Sequence, residues 1–151
     1  MLFQPQLIEI LLVEDNEGDI ELTREAFKES KVRNNIHVVK DGQAALDFVY
    51  RRNAFENAVR PDVVLLDINL PKKDGKEVLK IVKNDPVLKH IPVVILTSSE
   101  AEKDIVKSYR LYANCYITKP VTLNSFMEVI RSVEGFWLGV VKLPTANEEA
   151  A

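Results

Sequence analysis

Val63-Val64-Leu65-Leu66-Asp67-Ile68-Asn69-Leu70-Pro71 is the stretch that decides the fold. Four apolar residues run without a polar break and two of them are β-branched, the pattern of a strand buried on both faces in the middle of a parallel sheet. The run closes on an acid. Pro71 cannot extend a hydrogen-bonded ladder, so Asp67 is expected at the carboxyl end of its strand, the edge at which open α/β sheets hold their ligands. Asp67 is therefore the first candidate for a chemically active group.

Working outward, other apolar runs end in the same manner. Leu7 to Val13 is apolar apart from Glu9 and leads into Glu14-Asp15-Asn16. Ile91 to Leu96 is continuous and stops at Thr97-Ser98-Ser99, and Cys115 to Thr118 runs into Lys119-Pro120. Ile36 to Val39 makes a shorter strand. Between these runs the spacing is helical. The expected inward faces are Ile20, Thr23, Ala26 and Phe27; then Ala44, Ala45, Phe48 and Val49 after Asp41-Gly42; then Val78, Leu79 and Val82 after Asp74-Gly75. Glu100 to Tyr112 follows, with Ala101, Ile105, Tyr109 and Tyr112 inward, and a last helix from Thr122 carries Leu123, Phe126, Met127, Ile130 and Val133. Arg51 to Arg60 has no clear period and reads as a loop longer than usual. Strand and helix alternate five times, which implies right-handed crossovers and a parallel sheet covered on both faces, a three-layer α/β fold. The number of elements suits a five-stranded, flavodoxin-like (βα)5 order better than a six-stranded dinucleotide-binding one.

A chain of 151 residues is long enough for one domain with its own core. The expected domain spans residues 1–136, followed by an apolar extension and disordered tail over 137–151. With 20 Lys and Arg against 23 Asp and Glu, total charge gives no reason to expect nucleic acid as a partner. A single cysteine, Cys115, excludes an internal disulfide and fits a reducing compartment. The amino terminus lacks the pattern of a signal peptide, and no apolar run approaches the roughly 20 residues of a membrane span, so a cytoplasmic protein is expected. His37 and His90 have no spacing that would build a metal cage.

Four strands thus deliver Glu14 and Asp15, Asp67 and Asn69, Thr97 and Ser98, and Lys119 to one edge of the sheet. Each residue alone reads as a turn, a cap or a solvated charge; the coincidence of all of them at one edge points to joint function. Carboxylates crowded in a crevice raise one another's pKa, and a divalent cation removes the conflict. Few protein oxygens with open positions suit Mg²⁺ sharing its site with a phosphoryl group. The matching chemistry is phosphoryl transfer to Asp67 as nucleophile, giving an aspartyl phosphate. In that scheme Asp15, Asp67 and the Asn69 carbonyl ligate the metal and Glu14 bonds a metal-bound water. Lys119 pairs with Asp67 and then with a phosphoryl oxygen, and the Thr97 hydroxyl donates to another.

With the acidic pair, Asp67-x-x-Leu70-Pro71-x-x-Asp74-Gly75, Thr97-Ser98 and Tyr116-x-x-Lys119-Pro120 in view, the chain resembles the receiver domain of two-component response regulators from Ile8 to about Val133. The resemblance implies a phosphoryl group taken from a histidine kinase, dependence on Mg²⁺ and a cis peptide before Pro120. It also implies a switch in which Thr97 is drawn inward and the Tyr116 ring follows, remodelling the surface of the fourth helix, fifth strand and fifth helix. Glu14 departs from the usual pair of aspartates by one methylene. The Glu14-Asp15-Asn16-x-x-Asp19 opening and the Phe136-Trp137-Leu138…Leu143-Pro144 ending are similar to those of the small response regulators that partner cyanobacterial and bacterial phytochromes. On that likeness the kinase would be a phytochrome, and Phe136, Trp137 and Leu138 would form a homodimer interface with the last helix.

Such a protein accepts a phosphoryl group without turning over a substrate, and no output domain is expected. Two alternatives stay open on the residues alone. One is an aspartate-nucleophile phosphatase, weakened because Asn69 stands where the general acid is needed. The other is a binding module of this fold that is never phosphorylated.

Overall fold

The computed structural model describes residues 7–28, 33–108, 113 and 115–132. Five strands, β1 (Ile8–Val13), β2 (Asn34–Val39), β3 (Val63–Asp67), β4 (Val93–Thr97) and β5 (Cys115–Thr118), form one sheet in the order β2-β1-β3-β4-β5. All four pairings are parallel. The helices are α1 (Glu17–Lys28), α2 (Gly42–Tyr50), α3 (Gly75–Asn84), α4 (Glu100–Ser108) and α5 (Leu123–Ser132). This is the flavodoxin-like arrangement expected from the alternation of runs.

Period-two alternation along the central strands divides the core in two. Ile8, Ile10 and Leu12 of β1, Val63 and Leu65 of β3, and Val94 and Leu96 of β4 point to one face. There they meet Ile20 and Phe27 of α1 and Phe126 and Val129 of α5. The Phe27 and Phe126 rings contact edge to face, with centroids 4.7 Å apart. Leu11, Val13, Val64, Leu66, Val93 and Ile95 point to the other face, against α2, α3 and Val106 of α4. Because β1, β3 and β4 are covered on both sides, their sequences are apolar without alternation, apart from Glu9 near the start of β1.

Two Asp-Gly pairs start helices by one device. Asp41 caps α2 by accepting from the Ala44 amide at 2.8 Å, and Asp74 caps α3 by accepting from the Glu77 amide at 3.0 Å. The glycine that follows each cap packs against backbone: a Cβ on Gly42 would lie 1.8 Å from the Lys73 carbonyl oxygen, and one on Gly75 would lie 2.6 Å from that of Asp67. The start of α3 is thereby pressed onto the end of β3, which holds the acidic side chain in place.

Three local readings are revised. The Arg51 to Arg60 stretch contains a 3₁₀ turn over Asn53–Phe55, anchored by Phe55 packing on Phe48 with centroids 5.4 Å apart. Leu46 joins the buried face of α2. In α4 the inward residue is Val106, whereas Ala101 and Ile105 are exposed. Placing Ile105 inward relied on its spacing to Tyr109 and Tyr112, and those two residues, like Val133, Phe136, Trp137, Leu138 and the rest of the tail, lie outside the described residues.

Candidate phosphoacceptor site

All the polar groups expected at one edge sit at the carboxyl ends of β1, β3, β4 and β5. Glu14 continues β1 by one residue, its amide donating to the Val39 carbonyl at 3.0 Å, and its side chain is buried while Asp15 faces outward. Asp67 closes β3 and is 3 % exposed. Its Oδ1 accepts from the Asn69 amide at 2.9 Å, an Asx turn that fixes the carboxylate and reverses the chain toward α3. Thr97 closes β4, fully buried. Lys119 follows β5, its amide donating to the Thr97 carbonyl at 2.8 Å, and the Lys119–Pro120 peptide is cis.

The lysine is the centre of the cluster. Lys119 Nζ lies 2.9 Å from Asp19 Oδ2, 3.0 Å from Glu14 Oε1 and 3.3 Å from Asp67 Oδ2. Burial alone would lower its pKa, but these carboxylates outweigh that and hold the ammonium above its ordinary range. Glu14 is pushed the other way, up to about 7, first by burial and then by the neighbouring Asp67 carboxylate, with Lys119 opposing. Three carboxylates thus surround one ammonium.

Glu14, Asp15 and Asp67 can each turn an oxygen into a group within 4.8 Å of one another. An all-oxygen donor set, part buried and short of positive charge, fits a hard divalent cation. Thr97 Oγ1 adds a second sign of fit: it is buried and has no hydrogen-bond partner among the described residues. A buried hydroxyl without a partner costs free energy unless an acceptor arrives, and a phosphoryl oxygen is such an acceptor. Tyr116, opposite Ile95 in the β4–β5 register, is half-buried against the α2/α3 face of the core, with Lys107 Nζ 5.6 Å from its ring centroid. Burial raises its phenol pKa.

Two residues of the site escaped the sequence reading of roles. Asp19, in the first turn of α1, is the nearest carboxylate to Lys119, and its position four residues after Asp15 was the available signal. Glu102, in the first turn of α4, accepts from the Asn69 side-chain amide at 2.9 Å and from the Ser98 backbone amide at 2.8 Å. The Ser99-x-x-Glu102 spacing announces a helix cap but not the bond to Asn69.

The profile of the family described as "Response regulator receiver domain" matches residues 10–131. The chain belongs to the response regulator receiver domain family. Among the relatives of this receiver domain is response regulator Rcp1 of Synechocystis sp., 46% identical over 137 residues, or 91% of this chain and 93% of Rcp1. The solved structure of the bacteriophytochrome response regulator AtBRR is similar with a TM-score of 0.82 at 44% identity, covering 94% of this chain and 99% of that one. A crystal structure of the manganese-bound form of Rcp1 matches with a TM-score of 0.70 at 45% identity, covering 91% and 99%. That of the phosphorylated cyanobacterial phytochrome response regulator RcpA matches with a TM-score of 0.71 at 46% identity, covering 93% and 100%. Among the described residues, no helix is long and apolar enough to cross a membrane.

Proposed function

We propose that this receiver domain takes a phosphoryl group from the phosphohistidine of a histidine kinase, a phytochrome in particular, onto Asp67. One observation carries the reading: Asp67 ends a central strand with Lys119 Nζ 3.3 Å from one of its oxygens, and the buried Thr97 hydroxyl at the end of the adjacent strand has no hydrogen-bond partner among the described residues. The names of the similar proteins AtBRR and RcpA support the choice of kinase.

In the transfer, a P–O bond forms to an Asp67 oxygen as the P–N bond to imidazole breaks, and the imidazole nitrogen keeps the electron pair. The Asn69 amide holds the Asp67 carboxylate through Oδ1. Lys119 exchanges part of its contact with Asp67 for a phosphoryl oxygen, and Thr97 donates to another. Mg²⁺, held by Asp15, Asp67 and the Asn69 carbonyl with Glu14 behind them, would supply the charge neutralisation that a trianionic crevice lacks. Moving Thr97 inward frees space for the Tyr116 ring, which changes the surface formed by α4, β5 and α5. The protein is an acceptor and switch, and the reaction ends when the aspartyl phosphate is hydrolysed.

Phosphotransfer profiling tests this reading. Radiolabel should move from autophosphorylated phytochrome kinases of the source genome to the wild-type chain and not to Asp67→Asn. Failure of every histidine kinase of that genome to label the wild type would refute it.

A further inference from the structure

We propose that Glu102 is a positioning residue that holds the acceptor site in its unphosphorylated arrangement, so that phosphorylating Asp67 requires the Glu102 carboxylate to let go of Asn69 and the Ser98 amide. The proposal rests on the phosphoacceptor reading above and adds a residue to which that reading gives no role.

Glu102 first looks like a helix cap. Its amide donates to Ser99 Oγ at 3.1 Å, and its Oε1 reaches back to the Ser98 amide at 2.8 Å, a variant of the Ser-x-x-Glu capping box. The other oxygen does something a cap does not need. Oε2 accepts from Asn69 Nδ2 at 2.9 Å, across a sequence separation of 33 residues. Asn69 is the residue whose amide fixes Asp67, and Ser98 is the residue after Thr97. One carboxylate therefore joins the loop that orients the acceptor to the loop that carries the threonine.

The location matters as much as the bonds. Glu102 shares one cleft of about 790 Å³ with Asp15, Asn69 and Ser99. The bonds from Asn69 and Ser98, with the Lys119 charge behind them, favour its ionised form. A phosphoryl group adds nearly two negative charges beside this carboxylate, which repels it. The Ser98 amide, already donating to a charged acceptor, is also less available to any second anion. The unphosphorylated arrangement thus contains its own competing anion, and apparent affinity for a phosphoryl-like ligand falls as the fraction of molecules in which that anion is seated rises.

Beryllofluoride with Mg²⁺ is the probe, and its dissociation constant is measured by NMR titration on wild type, Glu102→Gln and Glu102→Ala at low and high ionic strength. Glu102→Gln keeps an acceptor for the Ser98 amide and removes the charge. Both variants should bind beryllofluoride about five- to tenfold more tightly than wild type, the size of one ordinary hydrogen bond. The gain should shrink as salt is added. Glu102→Ala should in addition melt at a lower temperature, because it also loses the cap. Equal or weaker binding by Glu102→Gln at wild-type thermal stability would overturn the proposal and leave Glu102 as a helix cap alone. A wild type that takes no beryllofluoride in the presence of Mg²⁺ would instead overturn the phosphoacceptor reading, and this proposal with it.

Discussion

Lys119 touches three carboxylates within 3.3 Å, and at the scale of single residues that ratio governs the site. Burial first, and then the Asp67 carboxylate beside it, raises the Glu14 carboxyl from the ordinary 4.5 to about 7, and the Lys119 ammonium that Glu14 shares with Asp19 and Asp67 opposes this only in part. The sign of the consequence follows from proton linkage. The native protein binds more protons than the unfolded chain between those two values, so this contribution to stability is fully present below about 4.5 and is lost as pH rises through about 7. Its size is on the order of 3 kcal/mol. Urea denaturation in the presence of a chelator should show stability falling between about pH 5 and about pH 8. Glu14→Gln should flatten that slope and exceed wild type at the upper end, and saturating Mg²⁺ should weaken the slope in wild type. The acidic pair, Asp67, Thr97 and Lys119 were legible from sequence because each follows an apolar run directly. Asp19 and Glu102 were not, because each belongs to the first turn of a helix, where an acid serves the helix dipole whether or not it reaches across a crevice.

At the scale of elements, the helix starts fix the loops that carry the chemistry. Gly42 and Gly75 are required by close approach, since a methyl group at either would run into backbone rather than into a flexible side chain. Gly42→Ala should destabilise by at least about 3 kcal/mol and Gly75→Ala by about 1–3 kcal/mol, although alanine favours a helix elsewhere. Equilibrium urea unfolding measures both. Gly75→Ala should also slow phosphoryl uptake, because the displaced atoms are those of Asp67 and Ile68. The central strands could be located from sequence because burial on both faces leaves them almost wholly apolar, Glu9 in β1 being the exception before the terminal acids. Helix α4 was phased wrongly by one residue: Ile105 and Val106 are adjacent and both apolar, so local pattern could not choose between them. The sheet chose Val106, which packs against the β4 side of the core. The Asn53–Phe55 turn was missed because its anchor is one aromatic contact between Phe55 and Phe48 rather than a period.

At the scale of the whole molecule, five parallel strands in the order β2-β1-β3-β4-β5 gather Asp67, Lys119 and Thr97 from segments spread over most of the chain. The same order puts β5 and Tyr116 at one edge of the sheet, paired with β4. We also propose a homodimer through the last helix and the Phe136-Trp137-Leu138 segment. Light scattering at micromolar concentration should give twice the chain mass for wild type and a lower mass for Trp137→Ala; a wild-type monomer with and without beryllofluoride would contradict it. Whether Asp67 accepts a phosphoryl group is read by intact-protein mass spectrometry after treatment with acetyl phosphate and Mg²⁺. Wild type should gain one acid-labile phosphoryl mass, and Asp67→Asn should gain none. No gain in wild type, or an equal gain in Asp67→Asn, would contradict it.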